Sequence, residues 1–388
     1  MKLEKRSHFL SRIDFSFKVN PIVALLGPRQ CGKTTLARMY INLNQKTKEV
    51  HYFDLEDPED LALFENPKLT LASLRGLIIL DEIQKVPEIF TLLRVLVDSP
   101  ENKQHFLILG SASKDLIRQS SETLAGRISY IELTPFSLEE VQNEEKLWLR
   151  GGFPKAYLAH SLDQSDQWRK EYIATFLERD IPNLGFDIPA QLLRRFWMMM
   201  TSYHGNIFNA SEIGRSLGLS GPTMRRYLDL LTGTFMIRQL QPWFENITKR
   251  QVKSPKIYFR DSGIFHTLLG VAQKDMLLRH PMLGASWEGF ALESIIRLHG
   301  LNQEECFFWG VHQQAELDLM VFLKGKRVGF EFKWADAPKL TKSILTACET
   351  LHLDRCYIIY PGNKKYQLTE QVIAIGLENY LHQQIKQQ

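Results

Sequence analysis

Residues 27–35, Gly-Pro-Arg-Gln-Cys-Gly-Lys-Thr-Thr, constrain this chain more than any other stretch. They follow the apolar run Pro21 to Leu26 and lead into GKTTLARMYINL, which has helical spacing and good helix formers. A glycine-bounded loop between a strand and a helix turns main-chain N–H groups inward, and the helix N-terminus adds its positive dipole end. Gly27, Gly32, Lys33 and Thr34 hold the fixed places of G-x-x-x-x-G-K-[ST]. The spacing predicts a phosphate cradle for ATP built from Gly27, Pro28, Arg29, Gln30, Cys31, Gly32, Lys33, Thr34 and Thr35. Lys33 is expected to neutralise β/γ-phosphate charge and the Thr34 hydroxyl to reach Mg²⁺.

The segment GLIILDEIQ, residues 76–84, has four apolar residues in a row, as suits a parallel strand buried on both faces. Its two carboxylates fall at the C-terminal end, where open α/β sheets place their sites. Asp81 is expected to bind Mg²⁺ and Glu82 to polarise the attacking water, which hydrolysis requires beyond nucleotide binding. An acidic helix N-cap is the plainer alternative. A third strand, HFLILGSAS, ends in Ser111 and Ser113. The Ser111 hydroxyl is a candidate contact to the γ-phosphate, or simply starts the next turn. Arg127, in SETLAGRISYIEL, is a candidate to stabilise the transferring charge, on its own chain or on a neighbouring copy, with a surface salt bridge as the alternative.

In this order and spacing, LLGPRQCGKTTLAR, YFDLEDPED, LIILDEIQ, LGSAS, LAGRI and LTPFSLEE resemble the bacterial and archaeal AAA-type ATPases that carry a C-terminal domain of unknown function. The resemblance covers nearly the whole chain. It implies a P-loop sheet of the additional-strand (ASCE) type, with the strand of Asp81 not adjacent to the strand before the loop. Cys31 departs from the family pattern, in which an aliphatic residue is common at that place, and its side chain is expected to pack beneath the loop.

At 388 residues the chain is too long for one ordinary core, so two or three domains are expected. Its 44% apolar and 24% charged residues fit a globular profile and argue against disorder. The N-terminus is interrupted by charges every few residues, and no run reaches the roughly 18 apolar residues a bilayer span needs, so a cytoplasmic, membrane-free protein is expected. Cys31, Cys306, Cys348 and Cys356 form no CxxC pair, and neither a disulfide framework nor a zinc site is expected. A net charge of +4 is too small to identify a nucleic-acid binder, so that reading must rest on local patches.

The expected ATPase domain spans residues 1–135. Residues 136–190 turn helical, with apolar Tyr172, Ile173, Phe176 and Leu177 at helical spacing, and read as a lid or connector in which GGFP and ERDI resemble the same family. Over residues 191–270, NASEIGRSLGLSGPTMRRYLDLLTGTFMIRQL reads as helix, glycine turn, helix and strand, the layout of a winged helix presenting Thr223, Arg225 and Arg226. The arm after it carries Lys249, Arg250, Lys253, Lys256 and Arg260, a patch suited to a phosphate backbone. A protein-binding module or a solvated charged loop would have a similar composition.

Residues 271–388 read as helix, three strands, helix, strand, the core order of the restriction-endonuclease-like PD-(D/E)XK superfamily. Asp318 lies mid-strand, thirteen residues before the triplet Glu331-Phe332-Lys333. Period-two alternation puts Glu331 and Lys333 on one face. Asp318 and Glu331 are expected to hold a second Mg²⁺ or Mn²⁺ beside Lys333, with Glu288 or Glu293 as a further ligand, although paired opposite charges on an exposed strand look alike.

The expected fold is thus α/β: a P-loop NTPase sheet, a helical connector and winged helix, and a restriction-endonuclease-like domain. The expected function is Mg²⁺-dependent ATP hydrolysis as a switch acting on DNA, with a homo-oligomer left open. The alternative is a regulatory ATPase that recruits protein partners and carries an inactive nuclease-like domain.

Overall fold

The computed structural model describes residues 6–46, 48–111, 123–244, 253–311 and 315–386, with the side chain of Ser111 also outside the description. The chain divides into two compact units, Met1–Phe136 with Gly233–Phe235, and Ser137–Thr232 with Met236–Gln388.

The first unit is built on β1 (Ile22–Gly27), β2 (Val50–Asp54), β3 (Gly76–Asp81), β4 (Gln104–Ser111) and β5 (Ile128–Glu132). They form a wholly parallel sheet in the order β2-β3-β4-β1-β5. Continuous apolar runs are what a sheet covered on both faces requires. Ala24, Ile78 and Ile108 face one core, which includes Ile89, Phe90 and Leu93 of α3 (Ile89–Val97). Leu25, Ile79 and Leu107 face the other, with Ile13 of α1 (Ser7–Val19) and Leu36, Ala37 and Tyr40 of α2 (Lys33–Asn44). β4 separates β1 from β3, the order the family resemblance implies.

The second unit includes α4 (Glu144–Arg150), α5 (Leu162–Thr175) and α6 (Ala190–Met200). Tyr172 and Ile173 pack with Leu193, Phe196, Trp197 and Met200 in one core. A π-helical turn at Phe176–Asp180 follows α5 directly, where the ERDI segment lies. Next come β6 (Asn206–Ile207), α7 (Ala210–Leu217), α8 (Gly221–Gly233), β7 (Ile237–Pro242) and β8 (Lys256–Phe259). The Asn209 side chain caps α7 by accepting from Glu212 N–H. β8 pairs antiparallel with both β7 and β6.

After α9 (Ser262–Leu268) and α10 (Leu283–Leu298) come β9 (Cys306–Val311), β10 (Ala315–Leu323), β11 (Lys326–Phe332), α11 (Lys342–Thr350), β12 (Arg355–Tyr360), β13 (Lys365–Gln367), β14 (Val372–Gly376) and α12 (Leu377–Ile385). β7 pairs parallel with β9 through Gln241 and Pro242. One nine-stranded sheet therefore runs β13-β14-β12-β11-β10-β9-β7-β8-β6. Residues 191–270 and 271–388 thus share a sheet rather than standing apart. The cause is long-range pairing that no local pattern encodes.

Candidate functional site

The loop after β1 closes on a left-handed Gly32 (φ 103°) that opens α2, a backbone angle that a side chain would oppose. Lys33, buried at 6% exposure, donates from Nζ to the Gly27 and Pro28 carbonyls at 2.9 and 3.0 Å, so its ammonium spans the mouth of the loop. Thr34 Oγ1 donates to Asp81 Oδ2 at 2.7 Å, which brings the helix and the end of β3 together. Arg29 pairs with Glu56 at 2.8 Å, Gln30 holds a positive φ of 61°, and Thr35 is exposed. Cys31 is fully buried in the core with its thiol pushed up by burial, so only its main chain belongs to the loop.

Asp81 and Glu82 stand at the C-terminal edge of the sheet. In register, Gly27 pairs with Ser111 and Asp54 with Asp81. Ser111 backbone is thereby set beside the loop, while its side chain lies outside the described residues. Burial pushes the Glu82 carboxyl above the ordinary carboxylate range, with Lys33, Gln84 and Arg29 pulling it back. Glu82 adopts a left-handed φ of 53°, and the Gln84 amide donates to its Oε2. Strain of this kind at a non-glycine residue persists only where the surroundings hold it.

Arg127 does not share this edge. It directly precedes Ile128, which pairs with Ile22 at the start of β1, five residues and roughly 16 Å from Gly27 at strand rise. Asp98 holds its guanidinium through two hydrogen bonds, one of 2.8 Å. The expectation of a contact to the nucleotide of its own chain is therefore corrected, because the strand direction carries Arg127 to the opposite end of the sheet.

Sequence reasoning assigns no role to Tyr52, whose hydroxyl donates to Asp81 Oδ2 at 2.9 Å. Burial and the Asp81 charge push this phenol above its ordinary range, so it stays a donor. The YFDLEDPED segment contains it but does not single it out, and the contact depends on β2 lying beside β3. A hydroxyl and a carboxylate on an oxygen-rich edge suit a hard divalent cation, and the Lys33 and Gly32 geometry suits a phosphate chain.

A second polar centre lies in the other unit. Asp318 sits in β10 where the pairing with β9 slips, a bulge of the type that re-aims side chains. Its Oδ2 accepts from Phe332 N–H at 3.0 Å and its Oδ1 faces Lys256 Nζ at 3.4 Å. Glu331 Oε1 meets Lys333 Nζ at 2.7 Å, as strand alternation predicts. Glu288 of α10 accepts from the Tyr258 hydroxyl at 2.6 Å. Burial, reinforced by Asp318, pushes both Glu288 and Glu331 up to about 8.

The structure corrects the expectation that Lys256 belongs to a solvent-facing patch for phosphate. It is 4% exposed on β8 and paired with Glu316, Asp318 and Glu288. Arg260 is turned inward as well, 3.7 Å from Glu293, while Lys249 and Arg250 lie outside the described residues. Glu293 is likewise no metal ligand, since Arg238, Arg260 and Arg297 surround it. Among the described residues no group of three or more His, Cys, Asp or Glu is placed to hold a metal, so the expected second ion at Asp318 and Glu331 gains no support. The lysine ammoniums take up the carboxylates instead.

The GGFP segment is also explained by packing. Asp261, the N-cap of α9, accepts from Gly152 N–H at 2.7 Å and Ile264 N–H at 2.9 Å. A Cβ on Gly151 would lie 2.1 Å from Asp261 Oδ1. All four cysteines are free and buried. No helix among the described residues is long and apolar enough to cross a membrane.

Three family models match successive parts of the chain. Residues 19–142 match the model of an AAA domain, 141–275 a domain of unknown function (DUF8612) and 283–380 a second one (DUF4143). The uncharacterized proteins Rv2008c of Mycobacterium tuberculosis and Mb2031c of Mycobacterium bovis are each 46% identical over 363 residues, 93% of this chain and 81% of their own length. Among solved structures, the Walker-type ATPase PABY2304 of Pyrococcus abyssi is 16% identical with a TM-score of 0.45, over 69% of this chain and 96% of that one. AMPPCP-bound DnaA of Aquifex aeolicus is 13% identical with a TM-score of 0.29, over 59% of this chain and 88% of that one. These two likenesses are too loose to carry fold or function. The chain belongs to the family of the two mycobacterial proteins, and its N-terminal unit is a nucleotide-binding ATPase domain of the AAA type.

Proposed function

We propose that the chain is a Mg²⁺-dependent ATPase whose nucleotide state drives a winged helix and a nuclease-like domain on DNA. The observation that carries the reading is the convergence of Lys33, Thr34, Asp81 and Glu82 on one sheet edge. Lys33 exchanges its loop carbonyls for β/γ-phosphate oxygens, and Glu82 accepts the proton of the attacking water. Thr34 and Asp81 would hold Mg²⁺, which would supply neutralisation of phosphate charge. Tyr52 positions Asp81. Ser111 remains the proposed γ-phosphate contact, and Arg127 a residue that serves a neighbouring copy.

Two observations support the remaining parts. The α7–turn–α8 pair followed by antiparallel β7 and β8 suits a winged helix, with Arg225 and Arg226 exposed on α8. The order α10, β9, β10, β11, α11, β12 suits a restriction-endonuclease-like core, with Asp318 on β10 and Glu331 and Lys333 on and after β11. The alternative, a regulatory ATPase with an inactive nuclease-like domain, is favoured by Lys256 on the acidic cluster.

Steady-state ATP hydrolysis with and without duplex DNA tests the coupling. The wild type is expected to be stimulated by DNA and Lys33→Ala to be inactive in both conditions. Indifference to DNA, or an active Lys33→Ala protein, overturns the reading. Tyr52→Phe is expected to raise the half-saturating Mg²⁺ concentration by about tenfold or more, the usual cost of losing a partner that orients a ligand. A lowered Tm with an unmoved Mg²⁺ requirement would reduce Tyr52 to a packing role.

A further inference from the structure

Three carboxylates from two elements surround one buried ammonium. Glu316 and Asp318 lie on β10 and Glu288 on α10, while Lys256 arrives from β8, on the far side of β9 and β7 in the sheet order. The Lys256 side chain is only 5% exposed. Glu331 completes the cluster: its Oε1 is taken by Lys333, but its buried Oε2 has no hydrogen-bond partner. A carboxylate oxygen shut away from water without a donor is costly unless a cation serves it.

We propose that the chain's own Lys256 ammonium, held by Glu288, Glu316 and Asp318, takes the place of a divalent cation beside Glu331 and keeps a hard cation such as Mg²⁺ or Mn²⁺ out. The inference rests on reading the C-terminal core as nuclease-like, and it assigns the centre a resident cation in place of a metal. Lys256 reaches Asp318 at 3.4 Å and Glu288 at 3.9 Å, the separations at which a second positive charge is strongly repelled. Asp318 has no uncommitted oxygen either, because Phe332 N–H occupies Oδ2. Burial lowers the affinity of Lys256 for its proton, but Asp318, Glu288 and Glu316 outweigh that and hold it charged. Lysine is therefore a permanent occupant over the working pH range, not one that leaves by losing its proton.

Mn²⁺ titration of the full chain without nucleotide, read by electron paramagnetic resonance, tests this. Wild type and Asp318→Asn are expected to bind Mn²⁺ alike, since the cluster takes none. Lys256→Met is expected to gain one Mn²⁺ site, tighter than any wild-type site by about 10- to 100-fold, which Lys256→Met/Asp318→Asn loses. Lys256→Arg, which keeps the charge, is expected to gain none. A wild-type Mn²⁺ site abolished by Asp318→Asn overturns the proposal, and so does a folded Lys256→Met protein without the new site. The wild-type comparison decides the matter even if Lys256→Met fails to fold. Neither arm reads ATP turnover, so a failed ATPase assay bears only on the switch.

Discussion

Glu82→Gln is expected to lower kcat for ATP hydrolysis by about 10²- to 10⁴-fold, the span of a lost general base, and to leave the Kd for ATP nearly unchanged. The substitution keeps the shape and the left-handed backbone at φ 53° and removes only the ability to accept a proton. Burial raises the Glu82 pKa, so the sign of the pH dependence follows. A base works when deprotonated; wild-type activity therefore falls as pH drops through a value above the ordinary carboxylate range. Glu82→Gln should lack that acid limb in its residual rate. Equal losses in kcat and ATP affinity would show that Glu82 shapes the loop rather than the reaction. A rate within severalfold of wild type would remove it from the chemistry.

Glu293→Gln is expected to destabilise the second unit by about 3–5 kcal/mol, the cost of removing one member of a buried ion cluster. Glu293 is 4% exposed and receives Arg238 Nη2 at 3.2 Å, Arg297 Nε at 3.6 Å and Arg260 Nε at 3.7 Å. The amide keeps the volume and removes the negative charge that the three guanidiniums share. At about 2–4 °C per kcal/mol for a domain of this size, thermal unfolding of this unit should fall by roughly 6–20 °C. Burial pushes Glu293 up, but the three arginines outweigh it and hold it at about 2. A folded pKa below the unfolded value of about 4.3 means stability present above that value and lost as pH falls toward 2. The wild-type stability curve should therefore slope in this acid window more than that of Glu293→Gln. Superimposable melting curves would sink the account.

The placement of Lys33, Thr34, Asp81 and Glu82 on one sheet edge was legible because its parts are local. A glycine-lysine-threonine loop sits directly between a strand and its helix, and the acids end an apolar run, so spacing alone brings them together. Glu331 and Lys333 were legible for the same reason, being two residues apart in the chain. Tyr52 and Gln84 were not, since nothing in their neighbourhood marks a hydroxyl or an amide as the partner of Asp81 or Glu82. For Arg127 the sequence left its own chain, a neighbouring copy and a surface salt bridge open, because the direction of the strand after it, and the Asp98 that pairs with it, are set by the fold.

The amino-acid order by itself determined the glycine-bounded loop between strand and helix, the acidic strand end, the helical middle and the α/β character of both units, because each follows from periodicity or spacing within about twenty residues. Only the tertiary structure decided that β7 joins β9 in a nine-stranded sheet, that Lys256 is an internal counter-ion and that Glu293 is gripped by three arginines. A lysine on a basic segment looks the same in sequence whether it meets solvent or carboxylates. Which it meets is set by the register of distant strands and by desolvation, and both exist only once the chain has folded.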